Sequence, residues 1–147
     1  MSLEENKAII RRLVEAVYKQ NLVVVDELLA PDFVEHSFQL KGLESMKQTV
    51  TMLFKGFPDL HVTIEDIAAE GNKVWDRVTA TGTHTGEYRG IAPTGKKITF
   101  TGVRIWRIID GKVVERTSVF DFIDLFKKLG IIEYTEQGKE LFLKDVS

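Results

Sequence analysis

Hydrophobic positions recur at helical spacing through the first third of the chain and then switch to alternation. Ile9, Ile10, Leu13, Val14 and Val17 fall on one stripe of a helix over 3–19. A short second helix is predicted over 22–29, ending before Ala30-Pro31-Asp32, and Phe33 to Phe38 read as a short extended segment. Gly42 opens a third helix over 43–55, closed by Gly56-Phe57-Pro58-Asp59. From His61 the period becomes two, predicting strands over 61–70, 73–83, 97–109 and 112–121. Gly71-Asn72, the long loop 84–95 and Asp110-Gly111 join them, and Asp110-Gly111 is a strong two-residue hairpin signal. A final helical stretch is expected over 122–129, with Gly130 as its C-cap. Helices followed by an antiparallel meander predict an α+β fold in which helices cover one sheet face.

The hairpins fix a trial register. With Ile109 opposite Lys112, Trp106 meets Glu115, Arg104 meets Thr117 and Phe100 meets Asp121. With Thr83 near Lys97, Asp76 opposes Arg104 and Val78 opposes Gly102. The more apolar face then carries Val74, Asp76, Val78 and Ala80; Ile98, Phe100, Arg104, Trp106 and Ile108; and Val113, Thr117, Val119 and Asp121. That face should meet the helices, so Asp76, Arg104 and Asp121 are expected on the covered side. A one-residue slip would reverse every such assignment. A covered carboxylate needs a partner, and Asp76 opposite Arg104 is such a pair. Asp121 has none in this register, so it is a candidate acid/base whose pKa a poorly solvated pocket would raise. The bland alternatives are a structural cross-strand ion pair and a strand-end acid capping the next helix.

The opposite face carries Trp75, Val103, Ile105 and Phe120, too apolar for open solvent, which predicts a homodimer or higher oligomer.

Composition narrows the chemistry. The 147 residues make one domain, taken as 1–147, and 44% hydrophobic residues suffice for a core. A net charge of −2 without a basic tract argues against nucleic acid and anionic membranes as partners. No apolar run approaches the roughly 20 residues of a membrane span, and the N-terminus lacks the pattern of a secretory signal. The absence of cysteine removes thiolate chemistry and cysteine-bound metals and fits a cytoplasmic protein. His36, His61 and His84 are far apart and lack metal-ligand spacing, and glycine-rich nucleotide loops are missing, so neither metal nor cofactor is expected. His36 is read either as a ligand-orienting residue or as a rim histidine bonded to backbone, His84 as a structural turn residue and His61 as exposed. Trp106, Phe100, Val78, Phe33 and Phe57 are core or pocket candidates, because a ligand cavity is hollowed from the core. Tyr18, late on the first helix, is a candidate for the cavity mouth.

Several segments are similar to the SnoaL-like polyketide cyclases: Ala30-Pro31-Asp32-Phe33-Val34-Glu35-His36, Phe57-Pro58-Asp59-Leu60, Gly82-Thr83-His84-Thr85-Gly86, Gly90-Ile91-Ala92-Pro93-Thr94-Gly95, Arg107 to Val113, Val119-Phe120-Asp121 and Leu129-Gly130. They run in order over about residues 4–130. The resemblance implies a cone-shaped α+β barrel with helices packed on a curved, mostly antiparallel sheet. It also implies cofactor-independent closure of a polyketide ring on a small apolar carbonyl or ester substrate. Asp121 would be general acid/base, His36 and Arg104 would bind or polarise oxygens beside Asp76, and Thr117 would join the aromatics around the substrate. Two departures stand out: Arg116-Thr117 replaces the family's His-Trp pair, and Asp76 stands where an apolar residue is usual. A limonene-epoxide-hydrolase-like enzyme, using Asp76, Arg104 and Asp121 on water and an epoxide, is one rival. A non-catalytic ligand-binding or dimerisation module is another. A steroid isomerase fits poorly, because His36 and Arg104 replace its expected acids.

Overall fold

The computed structural model describes residues 1–143. Helix α1 spans Leu3–Tyr18, α2 Leu22–Leu28, β1 Leu29–Glu35, β2 Leu40–Lys41, α3 Leu43–Gly56, β3 His61–Glu70, β4 Lys73–Thr83, β5 Lys97–Ile109, β6 Lys112–Asp121, α4 Ile123–Lys128 and α5 Glu136–Leu143. The four long strands and three N-terminal helices fall where the periodicity puts them. The extended segment begins earlier than expected, at Leu29, and α5 is an element the pattern did not predict.

Local signals account for the element ends. Ser2 caps α1 by accepting from the Glu5 amide at 3.1 Å. At the end of α4, Gly130 takes φ +75° and the amides of Gly130 and Ile131 return to the carbonyls of Lys127 and Phe126, the predicted glycine cap. Asp110 and Gly111 both have positive φ, +49° and +78°, as a two-residue hairpin turn requires.

The six strands form one sheet in the order β2-β1-β6-β5-β4-β3. All neighbours are antiparallel except β1 and β6, whose parallel pairing folds the N-terminal third back onto the last long strand. Helix α1 lies against β3 and β4, and α3 against β1 and β2. Ile10, Leu13, Val25, Phe33, Phe57, Val74, Ile98, Trp106 and Val113 are almost completely buried between helices and sheet.

The β4–β5 register is as predicted: Asp76 pairs with Arg104 and Val78 with Gly102. The β5–β6 register is not. Ile109 pairs with Lys112 and Ile108 with Val113, but Arg107 then pairs with Glu115, leaving Val114 as an extra residue on β6. This bulge reverses the faces of the rest of the strand. Arg116 and Ser118 are buried, and Phe120 lies on the covered side with its ring over Gly102. Thr117, Val119 and Asp121 face outward and are exposed. The covered-side assignments of Thr117, Val119 and Asp121 and the outer-face assignment of Phe120 are therefore corrected.

Candidate functional site

Beneath α1, against the covered face of β5 and β6, lies a small cavity lined by Leu13, Val14, Val17, Leu29, Met46, Val62, Arg104, Trp106 and Arg116. The helices supply aliphatic walls and the sheet supplies all of the polar groups. Its volume is about 40 Å³, room for about three waters.

Two buried ion pairs form the polar wall. Arg104 grips Asp76 in a bidentate fork, Nε to Oδ1 at 2.9 Å and Nη2 to Oδ2 at 2.5 Å. Trp106 adds its indole N–H to the same Asp76 Oδ1 at 3.3 Å. One cross-strand position further, Arg116 donates from Nε to Glu35 Oε2. Glu35 also accepts from the Ser118 hydroxyl at 3.0 Å and from the Ser37 amide at 2.9 Å. Both carboxylate side chains are fully enclosed, whereas the arginine side chains keep 8% and 9% exposure where they meet the cavity. The carboxylates thus stand behind and the guanidinium groups in front. Both guanidinium carbons lie over the Trp106 ring, 4.9 Å from its centroid for Arg104 and 5.1 Å for Arg116. Burial lowers the Arg116 pKa from its ordinary value; Glu35 opposes this, and the charge of Arg104 adds to it.

Of the residues singled out in the sequence, Asp76, Arg104 and Trp106 come together here. Asp121 does not: it faces outward, and its Oδ1 accepts from the Ile123 amide at 3.3 Å at the start of α4, as a strand-end capping acid would. His36 is also outside. Its Nε2 lies 2.6 Å from Glu115 Oε2, with Arg107 on the other carboxylate oxygen at 2.8 Å. Those two contacts, His36 first, hold the Glu115 carboxyl below its ordinary range. Thr117 is exposed on the outer face.

Phe33 and Phe57 are core residues; Phe57 packs on His84 and Tyr88 at ring separations of 5.2 and 5.3 Å. Val78 is buried but is not among the cavity-lining residues, and Tyr18 is half-buried edge-on to His61. Phe100 belongs to an aromatic cluster with Phe120 and Phe122 toward the α4 end of the sheet. His84 has the structural role expected of it: buried, it accepts the Thr94 amide at Nδ1 and pins the long loop.

Sequence reasoning missed Glu35, Arg116 and Ser118. Glu35 was within reach of it, because it lies two residues after the core Phe33 on one strand and must share its face. Arg116 and Ser118 were hidden by the bulge. Among the described residues no cluster of His, Asp or Glu could hold a metal ion, and no helix is long and apolar enough to cross a membrane.

Known proteins place this arrangement. A family model for SnoaL-like polyketide cyclases matches residues 7–129. Aklanonic acid methyl ester cyclase DnrD of Streptomyces peucetius is 30% identical over 137 residues, 88% of this chain and 94% of that protein. The corresponding cyclase DauD of Streptomyces sp. strain C5 is 29% identical, over 88% and 84%. The structure of AclR from Streptomyces galilaeus, a candidate hydroxylase, superposes with a TM-score of 0.81 at 33% identity, covering 90% of this chain and all of that one. A candidate SnoaL-like polyketide cyclase from Jannaschia sp. CCS1 gives 0.80 at 26% identity, over 89% and 95%. With the family match running from within α1 to the end of α4, across the whole sheet and the arginine-walled cavity, this chain belongs to the SnoaL-like polyketide cyclase family.

Proposed function

We propose that this protein closes a ring in a small polyketide-like carbonyl compound by intramolecular aldol addition at the wall formed by Arg104, Trp106 and Arg116, the cavity of about 40 Å³ opening as the compound enters. The observation that carries the reading is the orientation of the two ion pairs: guanidinium groups face the cavity and carboxylates sit behind them. Ring closure takes a proton from the carbon beside one carbonyl and develops negative charge on the oxygen of another. Fixed cationic donors in an apolar, water-poor site stabilise that charge without reorganising. Leu13, Val14 and Val17 supply the apolar surround.

Asp76 and Glu35 stand enclosed behind the guanidinium groups, so they position Arg104 and Arg116 and do not themselves meet the substrate. Asp121, nominated by the resemblance as acid/base, faces outward at the strand end. Turnover of aklanonic acid methyl ester, the compound named for the relatives, tests this. Arg104→Gln should lose about 100-fold or more of kcat, the usual cost of removing a donor to a developing oxyanion, while Asp121→Asn stays near wild type. A folded Asp121→Asn without activity beside an active Arg104→Gln would restore Asp121 to the role.

A hydrolase is the second reading, favoured by the collection of Asp76, Arg104, Glu35 and Arg116 on one wall. Solvent-derived ¹⁸O in the product marks hydrolysis, and its absence marks cyclisation.

The outer sheet face further supports a homodimer: Trp75, Val103 and Val119 are 47%, 40% and 73% exposed on it.

A further inference from the structure

The two ion pairs leave guanidinium capacity unused. Arg116 engages Glu35 through Nε alone, and Arg104 engages Asp76 through Nε and Nη2. Among the described residues no group accepts from either Nη of Arg116 or from Nη1 of Arg104. Among the described residues the fully enclosed side-chain atoms without a partner are Asn6 Oδ1 and His84 Nε2, so these nitrogens are not sealed in. Three unengaged guanidinium nitrogens therefore sit on two residues that both line the cavity and lie two positions apart along the sheet, Arg116 pairing with Trp106 and Arg104 with Ser118. Each ion pair is also a dipole with its positive end inward, so the cavity wall is electropositive although the four charges cancel.

We infer that the Arg104–Arg116 wall is a binding site for a planar two-oxygen anion carried on an apolar frame: a carboxylate or the enolate of a 1,3-dicarbonyl. This rests on the cyclase reading of the same pocket and narrows its substrate class. Planar guanidinium groups match the two oxygens of such an anion with paired N–H donors, which a neutral ester cannot use equally. The anion also offsets the repulsion by which the charge of Arg104 helps to lower the Arg116 pKa. Met46, unbranched and adaptable, also lines the cavity and is the lining side chain best able to yield to a ring.

The test is a titration of the full chain with benzoate, methyl benzoate and acetylacetone, followed at the indole N–H resonances of the two tryptophans. Trp106 touches the wall, whereas Trp75 stands on the outer face and serves as the internal control, assigned with Trp75→Phe. Benzoate should move the Trp106 signal saturably, with affinity at least about tenfold above that of methyl benzoate, the margin expected of charge-assisted hydrogen bonds. Acetylacetone binding that strengthens as the diketone ionises assigns the enolate source; benzoate binding without it assigns the carboxylate. Equal affinity for benzoate and its ester, or no saturable shift with either anion, overturns the inference. Glu35→Gln/Arg116→Gln, which removes both charges of one pair, should abolish the preference for benzoate, and a retained preference would also overturn it. Turnover of a neutral methyl ester without anion binding would sink this inference and leave the cyclase reading standing. Anion binding without turnover of any polyketide would do the reverse.

Discussion

Removing Arg104 exposes the energetics of the polar wall. In Arg104→Met the Asp76 carboxylate, fully enclosed in the native fold, loses both arms of its fork and keeps only the Trp106 indole N–H. Stranding one member of a buried ion pair costs about 3–5 kcal/mol, and losing the guanidinium over the indole adds about 0.5–2 kcal/mol. The cavity at the guanidinium edge admits water, which relaxes around the stranded charge and favours the lower end, about 3 kcal/mol. Against a total stability of about 5–15 kcal/mol this is a large share, and it lowers Tm by about 6–12 °C for a chain of this size. Asp76→Asn/Arg104→Met discards the second charge and retains an oxygen for the indole, so it should cost under about 2 kcal/mol, less than the single change. Urea unfolding followed by circular dichroism measures both variants. A loss under about 1 kcal/mol for Arg104→Met, or a double variant as unstable as the sum of its parts, would refute the account of the wall as a desolvated pair.

Gly86→Ala places a Cβ 1.9 Å from the Lys55 carbonyl oxygen, so the loop must part from the end of α3; a loss of about 1–3 kcal/mol is expected, against under about 0.5 kcal/mol for exposed Thr85→Ala. The Asp59 carboxylate accepts from the Thr83 hydroxyl at 2.8 Å and amide at 2.7 Å, which hold it below its ordinary 3.8. Its stabilisation is therefore full above that value and lost as pH falls through the depressed one, so the urea-midpoint gap between wild type and Asp59→Ala should be constant at neutral pH and close in stronger acid; a gap that widens in acid contradicts the sign. Light scattering should return a dimer that Val103→Glu dissociates, and a monomeric wild type would remove the case for an outer-face interface.

The sequence carried the fold further than it carried the site. Alternation from His61 onward marks strand ends within a residue, because β4 and β5 are buried on one face and wet on the other. The same contrast fixes the β4–β5 register, so the Asp76–Arg104 pair was legible from residue numbers alone. Beyond Val113 the reading failed for a physical reason: a bulge costs one residue and has no side-chain signature of its own, and Val114 looks like any strand valine. Buried polar residues on β6 added to the difficulty. Val119 looks like a core residue and Arg116 like a surface residue, but Val119 is 73% exposed and Arg116 is enclosed because Glu35 neutralises it. That compensation comes from β1, brought in by a parallel pairing with no local signal.

The bulge at Val114 makes the pocket behave like a message with two reading frames. With the bulge absorbing Val114, the inward letters of β6 are Arg116, Ser118 and Phe120; the same residues paired without a bulge would present Thr117, Val119 and Asp121 instead. Deleting Val114 would flatten the strand yet keep Glu115 opposite Arg107 and the arginine inward, whereas one residue added after it, with no second bulge, would turn the frame over and bring a carboxylate in.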